Sequence, residues 1–175
     1  MSKITNKEPT GSSNDGRHQA PAVKFQPRSQ RSYFDVGIGS ICISGADTWG
    51  KYCLLELGLA PGMSTPRHTH TREDEAYYVL SGELEVIVGE EVFFLRPGDT
   101  LIAPRNFPHQ LRNPGKTENH YLVILSPSGL EEFLKTTCLL APSDASAPTA
   151  LPPAAVENVF DLAVNYGFDF EDQKF

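Results

Sequence analysis

A chain of 175 residues with 39% apolar side chains, a further 14 glycines and a net charge of −7 has the length and make-up of about one globular domain. These figures exclude wholesale disorder, collagen and a long coiled coil, and no run approaches the roughly 18 apolar residues of a membrane span. The acidic balance, Lys+Arg 15 against Asp+Glu 22, argues against nucleic acid as a partner, because phosphate binding needs clustered cations.

The first residues, Met1-Ser2-Lys3-Ile4, lack the apolar core of a signal peptide, so a cytoplasmic protein with no membrane association is expected. Six basic and two acidic side chains fall in residues 1–31, which leaves the rest of the chain at −11. Residues 1–32 are rich in Ser, Asn, Gly, Lys and Pro and are expected to form a flexible arm, since they bury too little to offset the entropy of ordering. His18 lies in this arm and carries no argument.

From Tyr33 to residue 127 the pattern becomes short apolar runs separated by Gly, Pro, Asn and Asp. It predicts strands over 39–44, 52–59, 76–80, 83–88, 91–95, 100–103, 110–113 and 121–126, an all-β sandwich or barrel. No helix intervenes to make parallel crossovers, so the pairing is expected to be antiparallel. Ser81-Gly82 and Gly89-Glu90 read as hairpin connections, glycine supplying positive φ. Residues 52–59 carry apolar side chains on both faces, and with an exposed sheet edge this predicts a homodimer. Gly37-x-Gly39 lacks the third glycine and following helix of a dinucleotide loop. Cys42, Cys53 and Cys138 are too widely spaced for a zinc ribbon or disulfide scaffold and are expected to be reduced and mostly buried.

Residues 128–175 switch to helical period. Ser128 can cap a helix whose Leu130, Phe133 and Leu134 share one face, with Glu131 and Glu132 in the first turn. A Pro/Ala/Ser-rich linker over 141–153 precedes a second amphipathic stretch, Val156, Val159, Phe160, Ala163 and Val164, ending at Gly167.

The chemistry lies in the histidines. His68 and His70, two apart on an extended segment, point the same way. Glu75 adds a carboxylate and His109 a third imidazole. Three nitrogens and one oxygen suit one divalent first-row transition metal ion, with one or two positions left for water, oxygen or substrate. Glu73, two residues nearer the histidines, competes with Glu75. Tyr77 shares the parity of Glu75 and is a candidate catalytic and pocket residue, as proton donor or substrate contact. Phe107 and Leu111 share the parity of His109 and are expected to line the substrate pocket. His120 has no partner motif.

These residues resemble the cupin superfamily. Gly62-x5-His68-x-His70-x4-Glu75-x6-Gly82 matches its first motif throughout, and Gly98, Pro104, His109 and Asn113 match its second, in which Asn106 replaces a glycine. Asparagine is the residue that best follows glycine into the left-handed region. The resemblance implies a double-stranded β-helix, a jelly-roll barrel, with short C-terminal helices, and one metal ion held by His68, His70, Glu75 and His109. It favours Glu75 over Glu73, leaving Glu73 and Asp74 on the exposed rim. The metal, Fe, Mn, Ni, Cu or Zn, is left open, and a homodimer is implied. The segment from His68 through Gly82 and the acidic C-terminal helix are similar to quercetin dioxygenase-like cupins, which implies a dioxygenase acting on a small phenolic or enolic substrate, with Glu75 also the base. Two alternatives stay open: a lyase or isomerase using the metal as Lewis acid, with Tyr77 or Glu75 as base, and a binding module without turnover.

Overall fold

The computed structural model describes residues 32–34, 37–137, 139–142, 145–148 and 159–171. The expected arm over 1–31, Cys138 and Val156 lie outside them. Two short strands, β1 (Ser32–Phe34) and β2 (Gly37–Ile43), precede a single helical turn, α1 (Gly45–Thr48). Eight strands follow: β3 (Cys53–Leu59), β4 (His68–His70), β5 (Asp74–Ser81), β6 (Leu84–Val88), β7 (Glu91–Leu95), β8 (Thr100–Ala103), β9 (His109–Arg112) and β10 (His120–Ser126). The C-terminal segment adds α2 (Leu130–Thr137), β11 (Leu139–Leu140), α3 (Val159–Asn165) and β12 (Phe168–Phe170).

The strands form two sheets in the orders β11-β1-β2-β3-β10-β5-β8 and β12-β4-β9-β6-β7. Every pairing is antiparallel, as expected for a double-stranded β-helix. Alternation sorts the side chains: along β5, Glu75, Tyr77 and Val79 are buried while Tyr78 and Leu80 face out. The inward set of both sheets, including Leu55, Val86, Leu111, Tyr121 and Val123, makes one apolar core. Fully burying such a side chain contributes roughly 1.5–3 kcal/mol. No described helix is long and apolar enough to cross a membrane.

Several expectations need correction. The strand expected over 52–59 is covered within its sheet, since β3 lies between β2 and β10, and exposed apolar side chains, Tyr78, Ile102 and Ile124, stand on the outer face of β5, β8 and β10. Ser81-Gly82 makes no hairpin, because β5 and β6 belong to different sheets. It turns a corner between sheets, with Gly82 at φ 74, and a Cβ there would stand 2.8 Å from that of Asn119. Gly89 does close a hairpin, between β6 and β7. The residue preceding α2 is Gly129, not Ser128, and Glu131 accepts its N–H at 2.8 Å. The C-terminal segment is not only helical, since β11 pairs with β1 and β12 with β4. Cys53 is buried and Cys42 half-buried.

Asn106 adopts φ 65, the left-handed conformation its substitution for glycine required, and its N–H donates to the His70 carbonyl at 2.8 Å. Asn106→Gly is therefore expected to change unfolding free energy by less than about 0.5 kcal/mol, whereas Asn106→Val, strained at Cβ, costs about 1–2 kcal/mol. Urea unfolding measures both, and a valine variant as stable as the parent would contradict the left-handed turn.

Candidate metal centre

The topology brings the histidine pair and the glutamate together from opposite sheets. His68 and His109 are direct cross-strand partners on β4 and β9. Glu75 approaches from β5, held between Leu125 of β10 and Ala103 of β8. Each of His68, His70, Glu75 and His109 is buried and offers a ligand atom, all within 4.8 Å of one another.

Second partners set the histidine tautomers. His68 Nδ1 lies 2.8 Å from the Pro66 carbonyl and His109 Nδ1 lies 3.0 Å from that of Phe107. A carbonyl only accepts, so each Nδ1 carries the proton and each Nε2 presents a lone pair. His109 Nε2 nevertheless lies 3.0 Å from Glu75 Oε2, and His70 Nε2 lies 3.0 Å from the same oxygen. A lone pair facing a carboxylate repels it unless a cation stands between them. Without a metal ion a proton serves, and the Glu75 contact, outweighing burial, raises the pKa of His109. Burial alone would raise that of Glu75, but His70 and His109 hold it well below the usual carboxylate range. His68, desolvated by burial and beside the other two imidazoles, is pushed down to about 3 and stays neutral, as a ligand must.

Among the described residues, the buried side-chain polar atoms with no hydrogen-bond partner are His70 Nδ1 and Nε2, Glu73 Oε2 and Tyr77 Oη. All four belong to this one place. Such orphans are rare, each costing about 1–3 kcal/mol, so their clustering marks a group the site is built to receive. The donor set, three imidazoles and one carboxylate, fits a divalent transition metal ion.

Glu75 rather than Glu73 stands on the ligand side, in keeping with the motif spacing, but Glu73 is not on the rim. It is only 2% exposed, with Oε2 3.9 Å from His70 Nδ1. Asp74 alone faces out, in a two-point ion pair with Arg105 at 2.7 and 3.1 Å that lowers its pKa to about 2. Tyr77 is buried on the Glu75 face as expected, and burial with the nearby carboxylate raises its pKa well above the ordinary value. Its side chain lies in the core and not on the cavity wall described next. His120 stands apart, at the start of β10, 3.2 Å from Glu118.

A cavity of about 80 Å³ adjoins His68, His70 and Glu75. Leu111 lines it as expected. Phe107 does not, being 54% exposed, because the turn after Pro104 carries it out of the strand whose alternation would have pointed it inward. Part of the lining comes from residues that the sequence does not mark as belonging to the site. Leu130, Phe133 and Leu134 of α2, with Phe168 and Phe170 of β12, complete the lining. Phe168 pairs with His70 and packs on its ring at 4.4 Å between centroids, while Phe170 pairs with His68. The alternation Phe168-Asp169-Phe170 was the available signal.

His68→Ala and His109→Ala are each expected to remove most bound metal while far-UV circular dichroism keeps its β signature, because the side chains sit on different strands and converge only at the ion. Full metal occupancy in either variant would contradict the assignment.

Residues 55–125 match the family model of the cupin domain. A germin-like protein subfamily 2 member 2 of Arabidopsis thaliana is 32% identical over 114 residues, covering 62% of this chain and 50% of that one. The polyketide synthase CurC of Streptomyces cyaneus is 38% identical over 74 residues, covering 41% and 48%. The chain thus spans about half of these curated relatives, and only 20% of a xanthan biosynthesis protein of Xanthomonas campestris that it also matches. A solved structure, of a predicted oxalate decarboxylase from Thermotoga maritima, superposes with a TM-score of 0.53 at 20% identity, over 57% of this chain and 93% of that one, a likeness of fold. The two motifs, the barrel and the buried ligand set agree with the match of residues 55–125 to the cupin domain model.

Proposed function

We propose that the protein is a metal-dependent cupin enzyme of the dioxygenase type, acting on a small, largely apolar substrate that presents a phenolic or enolic oxygen. The observation that carries this reading is the pairing of the orphaned polar cluster with a cavity walled by aliphatic and aromatic side chains. Among the described residues, Thr65, His68, His70, Glu75 and Tyr121 are the lining side chains with polar atoms, and none is Lys or Arg. A carboxylate or phosphate substrate would find no cation there other than the metal, whereas an apolar ring or diketone fits the walls. The dimensions favour a small molecule. A three-ring flavonol would need the aromatic mouth to open.

When bound, the ion supplies Lewis acidity toward a substrate oxygen and, for a redox-active metal, a place for dioxygen. The chain's residues supply the rest. His68, His70 and His109 would hold the ion, and Glu75 would share that task while its Oε2 accepts the proton of the phenol or enol. Tyr77 Oη, buried beside Glu75 with no other partner, can donate to that carboxylate and steady it. The phenylalanines of β12 keep water from the ligands. In an oxidative ring or C–C cleavage that places both oxygen atoms in the product, the substrate supplies all four electrons and no external reductant is needed.

Glu75→Gln is expected to retain part of the metal, since three imidazoles remain, while turnover falls by on the order of 10²–10⁴ through loss of the base. The measurement is oxygen uptake by metal-loaded protein with a small β-diketone and with a flavonol, for parent and variant. Turnover of substrate without oxygen consumption would replace this reading by Lewis-acid lyase or isomerase chemistry.

A further inference from the structure

Two of the orphaned atoms face one another. His70 Nδ1 has no hydrogen-bond partner, Glu73 Oε2 has none, and they lie 3.9 Å apart, both buried. The other two imidazoles each have a carbonyl acceptor at Nδ1, from Pro66 and Phe107. His70 lacks one, and among the described residues the acceptor beside its Nδ1 is the Glu73 carboxylate.

The surroundings hold that carboxylate inward. Thr71, between the two residues, donates its N–H and its hydroxyl to the Gly167 carbonyl at 2.8 and 3.0 Å, which fixes the loop after β4. On the other side the chain entering α2 closes over Glu73. A Cβ on Gly129 would stand 2.9 Å from Glu73 Oε1, which places this backbone against the carboxylate.

We propose that Glu73 is a positioning residue of the metal centre, its carboxylate accepting the Nδ1–H of His70 and so fixing that ring with Nε2 toward Glu75. The proposal rests on metal binding at the four ligands and adds to it a carboxylate that touches neither ion nor substrate. The gap of 3.9 Å is too long for a hydrogen bond. A shift of about 1 Å in either side chain closes it to the length of a charge-assisted bond. Such a partner both selects the tautomer and makes the ligating nitrogen a better donor.

The test uses the full-length protein and zinc as the probe, with affinity read by competition against a chromophoric chelator. Glu73→Leu keeps volume and removes the acceptor, and is expected to weaken zinc binding by about 10–100-fold. Glu73→Gln keeps an acceptor without charge and falls between it and the parent. The melting temperature of the metal-free protein separates positioning from mere packing, because removing a buried carboxylate whose Oε2 has no partner should leave it unchanged or raise it. A second readout is the His70 Nδ1–H proton resonance of the zinc-loaded protein, expected downfield and slowly exchanging in the parent and displaced in Glu73→Leu. Parent-like zinc affinity in both variants would overturn the proposal and leave the metal centre standing. Equal losses of affinity and of metal-free stability would overturn it in favour of a packing role. A parent chain that binds no zinc, iron, manganese, nickel or copper would overturn the metal reading and this proposal with it.

Discussion

Three imidazoles and a carboxylate crowded within 4.8 Å inside an apolar barrel set the terms for the rest of the molecule. Withdrawn from water, each polar atom must find a partner or lose about 1–3 kcal/mol. The barrel supplies carbonyls for Nδ1 of two of the three imidazoles and leaves the inward atoms facing one another. The lone pair of His109 Nε2, directed at a carboxylate oxygen that His70 Nε2 also approaches at 3.0 Å, forms an arrangement that a cation relieves. The same burial that makes the cluster costly without an ion makes the ion's field strong with it, since little water is present to screen it.

The sheets meet this demand from both sides. β4 and β9 bring His68, His70 and His109 from one sheet, and Glu75 arrives from the other, so the centre ties the two faces of the barrel across their core. β4 is only three residues long and would be a weak edge without β12, whose Phe168 and Phe170 pair with the histidines themselves. The C-terminal segment is thus part of the site: α2 and β12 line the cavity, and the backbone at Gly129 lies against the Glu73 carboxylate.

Much of this was legible in the amino-acid order. Motif spacing marked the four ligands, period-two alternation found most strands, and Asn106 in place of glycine foretold a left-handed turn. Three features escaped, each for a physical reason. β12 lies far from β4 in sequence, and although Phe168-Asp169-Phe170 alternates, nothing local predicts which strand it pairs with. Glu73 sits in a run of acids that reads as solvated surface, and only the closing of a distant loop buries it. Phe107 shares strand parity with His109 but precedes the strand, in a turn where alternation does not hold. Local pattern therefore identified residue types and strands, while the cover over the site depended on contacts far apart along the chain.

X-ray absorption at the edge of the bound metal tests the central claim most directly. A convergent site of three imidazoles and one carboxylate predicts a first shell of nitrogen and oxygen at about 2.0–2.2 Å, with imidazole scattering from about three rings and no sulfur. A shell containing sulfur, or one showing fewer than two imidazoles, would place the ion elsewhere and leave the buried cluster without its explanation.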